Sequence, residues 1–147
     1  MDKLSFNISV NNVTDRQLTG LAGEFFVAAE LLKRGLQTSI TLGTAKQIDL
    51  FAYNPRIVQG FQIQVKTLRS KNYFPLDYKK IEYGQVYVFV VLNKSDEEVE
   101  YYIVRGSTIL ENEEGKFDTT KWEVRPGVKP KALIEYKDQW YDIFGCE

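Results

Sequence analysis

The segment Gln85–Leu92 (QVYVFVVL) limits most strongly how this chain can fold. All its residues after Gln85 are apolar or aromatic, so both faces of an extended strand would be apolar. Such a strand is typical of the centre of a sheet that is covered by other layers on both sides. Because 147 residues suffice for one well-filled core but not for two ordinary domains, we predict a single α/β domain over residues 1–147.

Residues Gln17–Arg34 have the pattern of an amphipathic helix. Their apolar members recur at three- and four-residue spacing; they are Leu18, Leu21, Ala22, Phe25, Ala29 and Leu32. Thr14 stands three residues before Gln17, as in a capping box, and Gly35 follows a basic pair, as at a helix end. We predict that this apolar stripe is the buried face of the helix.

After Gly35 the apolar period shortens toward two, which favours strands. The predicted strands form a meander: Leu36–Thr41, Lys46–Tyr53 and Val58–Thr67, with Asn54-Pro55-Arg56 as the second turn. The last of them alternates an apolar set with a polar set, Phe61, Ile63 and Val65 against Gln62, Gln64 and Lys66. The two sets therefore point to opposite faces of the sheet.

The second half of the chain gives weaker signals. Residues 73–84 are predicted to be irregular or briefly helical, and the polar run 93–100 is predicted to be a hairpin loop. That loop would let Glu100–Val104 pair with Gln85–Leu92. We further expect a short strand near Ala132–Tyr136 and a final turn whose aromatic residues pack back on the domain, namely Trp140, Tyr141 and Phe144.

Two absences narrow the possible chemistry. The sequence contains no histidine, and Cys146 is its only cysteine. These facts exclude Ser-His-Asp and Cys-His arrangements, a zinc site of the usual His/Cys type and a disulfide within the chain. A bound metal would need oxygen ligands, which favours Mg²⁺ or Mn²⁺.

Charge and hydropathy limit the possible partners of the protein and its location in the cell. The 19 basic and 20 acidic residues nearly cancel, so DNA binding would have to come from a local basic surface. No apolar run approaches the roughly 20 residues that cross a bilayer, and the first residues do not resemble a signal peptide. We therefore expect a cytoplasmic protein that does not bind membranes.

Four polar residues occur in a recognisable order: Glu24 on the helix, Asp49 on the second strand, and Gln64 and Lys66 on the third. This order resembles the PD-(D/E)XK, or restriction-endonuclease-like, nucleases, in which a helix carboxylate, an Asp and a (D/E)-x-K surround a metal ion. The resemblance covers roughly residues 17–92. Gln64 departs from the usual carboxylate, although a Q-x-K variant occurs in some branches, including certain bacterial intron-encoded homing endonucleases.

The resemblance implies a central mixed sheet with the N-terminal helix packed against it, and a role for each residue. Asp49, Gln64 and Glu24 would hold Mg²⁺ or Mn²⁺, and Lys66 would stabilise the transition state or orient the attacking water. Each residue also has a structural alternative. Glu24 can be an ordinary charge on the flank of a helix, and Gln64 and Lys66 can be a solvated strand face. An Asp inside an apolar strand is harder to explain this way, because burying it is costly.

A basic stretch follows the third strand and is predicted to contact DNA through Arg69, Lys71, Lys79 and Lys80. A metal-dependent DNA endonuclease of homing, restriction or repair type is the first hypothesis. Cutting both strands of a duplex with so small a chain would require a homo-oligomer, a dimer or larger. The alternative is a catalytically weak nuclease fold that acts as a DNA-binding or regulatory module.

Overall fold

The computed structural model describes residues 15–43, 47–119 and 126–147. Thr14 and Lys46, which the sequence places at a helix cap and at a strand start, lie outside these residues. The first elements are α1 (Asp15–Lys33), β1 (Gln37–Ile40), β2 (Leu50–Asn54) and β3 (Gln59–Leu68). The others are β4 (Phe74–Pro75), a 3₁₀ helix (Tyr78–Lys80), β5 (Val86–Val91), β6 (Glu100–Arg105), α2 (Gly106–Glu111), β7 (Gly127–Val128), a second 3₁₀ helix (Pro130–Tyr136) and α3 (Trp140–Phe144).

The main sheet has five strands in the order β1-β2-β3-β5-β6. Strands β1, β2 and β3 form the predicted antiparallel meander. Strand β5 is parallel to β3, with Val86 opposite Ile63, and β6 returns antiparallel beside β5. The sheet is therefore mixed, and α1 packs against it, which confirms the predicted fold class.

Strand β5 lies between two apolar layers, as its sequence predicts. All of its residues are buried. Val86, Val88 and Val90 belong to the core shared with α1, whereas Tyr87, Phe89 and Val91 belong to a second core. That second core is completed by side chains such as Phe74, Ile109 and Leu133. Among the described residues, no helix is long and apolar enough to cross a membrane.

The buried face of α1 differs from the predicted one. Gly23, Glu24, Val27, Ala28 and Leu31 are buried. The predicted stripe is largely exposed: the accessible fractions are 47% for Leu18, 42% for Leu21, 53% for Phe25 and 55% for Leu32. The helix thus has two apolar stripes, and the predicted one was the wrong one.

Close contact between α1 and β3 explains which stripe is buried. A Cβ atom at Gly23 would collide with the side chain of Thr67 on β3. Only glycine allows the helix backbone to approach the strand so closely. Gly20, by contrast, has no atom within 4 Å of the position its Cβ would take, so it does not serve the same purpose.

The C-terminal tail corrects one prediction and confirms part of another. Residues near Ala132–Tyr136 form a 3₁₀ helix, not a strand, and Pro130 begins it, a position that suits a residue without an amide hydrogen. In α3, Trp140 and Phe144 are buried, as predicted, but Tyr141 is 67% exposed. Phe144 packs edge-on against Phe61, with ring centroids 5.0 Å apart, and so ties the tail to β3.

Candidate active site

Asp49 immediately precedes β2 at an irregularity in the sheet. Its amide donates to the carbonyl of Ile63 at 3.0 Å, although the register already pairs Ile63 with Leu50. Asp49 and Leu50 thus oppose the same residue of β3, which is the arrangement of a β-bulge. Bulges are frequent beside active sites because they redirect a side chain.

The Asp49 side chain is held against the backbone of β3. Its Oδ2 atom accepts a hydrogen bond from the Val65 amide at 2.8 Å, and the residue is only 8% exposed. This bond helps to offset the cost of burying a carboxylate. A carboxylate has about four acceptor positions, so the structural bond does not prevent Asp49 from acting as a metal ligand.

Gln64 and Lys66 flank Val65 on β3, and both line the same open groove, about 1170 Å³ in volume. The Gln64 amide nitrogen donates to the backbone carbonyl of Gln47. This bond orients the carboxamide and distinguishes its oxygen, which is the atom suited to a metal ligand. The structure therefore brings Gln64 and Lys66 together on one strand face, next to the amide that holds Asp49.

Glu24 approaches this part of β3 from the other side of the sheet. It is buried, with 8% exposure, and follows Gly23, whose backbone meets Thr67. Because neighbouring residues of a strand point to opposite faces, Thr67 lies on the helix side and Lys66 on the groove side. Glu24 is thus placed on the sheet-facing stripe of α1 and not on its polar flank.

The four predicted DNA-contacting residues fall into two groups. Lys79 and Lys80 line the same groove as Gln64 and Lys66. Arg69 instead donates to the Thr19 hydroxyl of α1 at 3.2 Å, and Lys71 forms an ion pair with Glu100 at 3.3 Å. Proximity in sequence therefore does not place these residues on one surface.

Comparisons with known proteins identify the fold. No protein-family model matches the sequence, and no curated protein matches it either. The bacterial homing endonuclease I-Ssp6803I has a similar structure, with a TM-score of 0.58 and 15% identity, over 90% of this chain and 95% of that one. Hjc of Archaeoglobus fulgidus, a Holliday junction resolvase, is similar with a TM-score of 0.54 and 14% identity, over 86% of this chain and 95% of that one.

The chain has the restriction-endonuclease-like fold. Both similar structures are nucleases of this fold, as the order of Glu24, Asp49, Gln64 and Lys66 predicts. At these identities the similarity concerns the fold, and the chemistry must be argued from this chain's own residues.

Three further groove residues, Gln62, Gln85 and Tyr87, are not among the predicted site residues. The Tyr87 hydroxyl accepts from the Glu82 amide at 3.0 Å and lies 3.4 Å from Gln85 Oε1, and Gln85 in turn lies 3.4 Å from Gln62 Oε1. Burial raises the pKa of Tyr87. Only Gln62 carried a sequence signal, because it alternates with Gln64 and Lys66 along the strand.

The restriction-endonuclease-like fold implies a divalent metal, and the donors of this chain suit one. The candidate ligands are the carboxylates of Asp49 and Glu24 and the carbonyl oxygen of Gln64, all of them hard oxygen donors. In the described parts of the chain, no group of three or more Asp, Glu, His or Cys side chains could hold a metal ion. Mg²⁺ is commonly bound through one or two carboxylates and retains several waters, so the chemistry of these donors suits it. The structure does not bring all three together, because Glu24 lies on the helix side of the sheet and Gln64 on the groove side.

Proposed function

We propose that the chain is a metal-dependent DNA endonuclease that hydrolyses phosphodiester bonds. The observation that carries this proposal is the Asp49 carboxylate, which is hydrogen-bonded to the Val65 amide between Gln64 and Lys66. An acidic group that is held at the backbone between a residue with an amide oxygen and a residue with an ammonium suits phosphate chemistry better than it suits a structural core. The restriction-endonuclease-like fold of two nucleases supports the same function.

The proposed roles follow from the chemistry of each side chain. Asp49, Gln64 and Glu24 would hold Mg²⁺ or Mn²⁺, which when bound polarises the phosphoryl oxygen and acidifies water. Lys66 places a positive charge in the groove, where negative charge on phosphate increases during attack. The bond from Gln64 to Gln47 and the bond from Val65 to Asp49 hold the two ligands in fixed orientations before substrate binds.

DNA would lie in the groove. The groove carries Lys66, Lys79 and Lys80 together with Asp77 and Glu82, so its three positive and two negative charges leave +1, whereas the whole chain has −1. Lys80 lies 3.9 Å from Asp77, and the lysines would position the phosphate backbone. Arg69 and Lys71 would contribute only to DNA that extends beyond the groove, because both lie elsewhere. A homo-oligomer would supply the second site needed to cut both strands of a duplex.

The first test is cleavage of supercoiled plasmid with Mg²⁺ or Mn²⁺. Asp49→Asn keeps an oxygen that can accept the Val65 amide but removes the charge, so we expect a folded protein without activity. Lys66→Ala should lower the cleavage rate by about 100-fold or more if the ammonium stabilises the transition state.

The matched controls are Asp96→Asn and Lys94→Ala, two polar residues of the β5–β6 loop that do not line the groove. They should retain wild-type cleavage. Equal activity in Asp49→Asn and Asp96→Asn would contradict the proposed site.

One observation favours a second function, a DNA-binding module without catalysis. Gln64 is neutral, so only two carboxylates remain for a metal in the proposed site. If plasmid, single strands and branched DNA all stay intact with either metal while the folded protein still binds DNA, this second function is the correct one. Binding should then survive Asp49→Asn and weaken in Lys79→Ala and Lys80→Ala.

A further inference from the structure

Helix α1 has an exposed apolar stripe on the side opposite to its buried face. The stripe consists of Leu18, Leu21, Phe25, Ala29 and Leu32, and all five are exposed. Phe25 and Leu32 each leave more than half of their surface accessible. A contiguous apolar patch of this kind on a surface helix usually marks an interaction site.

The spacing of the stripe is the same when it is read from either end. Its residues follow one another at intervals of three, four, four and three, with Phe25 in the middle. In an antiparallel pair of such helices with the twofold axis at Phe25, Leu18 meets Leu32, Leu21 meets Ala29, and Phe25 meets itself. An interface between two identical copies must be self-complementary in this way.

Charged residues at the two ends of the helix agree with the same arrangement. Asp15 lies in the first turn and Lys33 in the last, and both are exposed. They are separated by about five turns at 3.6 residues per turn, so they project from the same flank. In the antiparallel pair, Asp15 of one copy and Lys33 of the other lie within about 3 Å of each other along the axis. Each dimer would therefore contain two such oppositely charged contacts.

We propose that this stripe is the dimer interface, through which a second copy of the chain pairs antiparallel by helix α1. The inference gives the homo-oligomer of the proposed function a defined surface and in that respect rests on it. The interface uses the outer face of α1, whereas Glu24 lies on the inner face toward the sheet. Dimer formation therefore leaves the proposed active site of each copy unobstructed.

The first experiment measures the mass of the full chain by sedimentation over a range of concentrations. Wild type should be a dimer. Phe25→Asp should be a monomer, because it sets two carboxylates against each other at the twofold axis. Tyr141→Asp is the matched control: Tyr141 is 67% exposed and lies on α3, outside the stripe, so this variant should remain a dimer.

A charge exchange tests the antiparallel direction. Asp15→Lys should raise the dimer dissociation constant roughly two- to thirtyfold at low salt, and adding Lys33→Asp should restore it. A parallel pair would bring like residues together, so each variant would replace one like-charge pair by another and the dissociation constant would stay near the wild-type value. That result would overturn the antiparallel arrangement.

Two other outcomes overturn the interface itself. A dimer that persists in Phe25→Asp would show that copies pair through another surface. A wild-type monomer at every concentration would show that the stripe does not pair two copies. These measurements do not use cleavage, so a dimer without nuclease activity refutes only the proposed function. If both proposals hold, wild type should linearise plasmid, whereas Phe25→Asp should mainly nick it.

Discussion

On one face of strand β3, Phe61, Ile63 and Val65 pack in the core shared with α1, whereas on the other face Gln62, Gln64 and Lys66 line an open groove. Residues of the two faces alternate along the same strand, less than 4 Å apart along the backbone. The apolar face lends the strand rigidity, and the polar face presents groups to solvent. Residues that stabilise the fold and residues that line the groove therefore alternate along this strand, and substitutions can test them separately.

Asp49 is bound to β3 at a residue of the packed face that lies between two residues of the groove face. Its carboxylate binds the Val65 amide, and Val65 belongs to the packed face, while the neighbours of Val65 in sequence belong to the groove. A carboxylate anchored to the backbone of a packed strand moves little. The comparison of the two faces thus predicts that packing substitutions disturb folding, whereas groove substitutions disturb function.

The largest effect on stability should come from the packed face. Ile63 is fully buried, so Ile63→Ala should lower the free energy of unfolding by about 2–5 kcal/mol. Its neighbour Gln62 is exposed, and Gln62→Ala should change the free energy of unfolding by no more than about 0.5 kcal/mol. Urea denaturation of both variants gives the comparison. Similar losses at the two positions would show that the faces are not energetically distinct.

The next effect concerns the contact that decides how α1 sits on β3. Gly23→Ala should cost about 1–3 kcal/mol, because the new methyl group collides with Thr67. Gly20→Ala meets no neighbouring atom, and alanine has the higher helix propensity, so this variant should gain up to about 1 kcal/mol. Thermal denaturation should therefore show shifts of opposite sign. A gain of stability in both variants would mean that the helix can move away from β3 without loss of stability.

The alternation within β3 and the apolar character of β5 made most of the sheet predictable. Period-two patterns report directly which residues share a face, and a strand that is apolar on both faces must lie between layers. The relation of Gln64 to Lys66 could be predicted for the same reason. The bulge at Asp49 could not be predicted, because it depends on the Asp49 amide reaching the carbonyl of Ile63, which the register pairs with Leu50.

Two features could not be predicted from the sequence, for different reasons: the buried face of α1 and the division of the basic residues between two surfaces. Two apolar stripes compete on α1, and the choice between them depends on the fit of Gly23 to Thr67, a contact between distant parts of the chain. Arg69 and Lys79 are separated by a segment containing β4, so their directions depend on a path that carries no periodic signal. In both cases the deciding information is tertiary.

The smallest effect tests whether the groove face contributes to stability at all. Tyr87 projects from β5 beneath the groove, and its hydroxyl bonds the Glu82 amide and contacts Gln85. Tyr87→Phe should therefore cost about 0.5–1.5 kcal/mol at neutral pH. Tyr141→Phe, on an exposed tyrosine of α3, is the control and should cost less.

The pH dependence of the stability cost of Tyr87→Phe gives a second test of the same contribution. Burial raises the pKa of Tyr87 above the ordinary value near 10. The stability that comes from its protonated form is fully present below pH 10 and is lost as the pH rises toward the higher pKa of the folded state. Other buried tyrosines add to the alkaline loss in wild type, so the difference between the two proteins is the relevant quantity. The cost of Tyr87→Phe should shrink between pH 9 and pH 11, and a constant cost would show that the Tyr87 hydroxyl is solvated and that the groove face contributes no burial there.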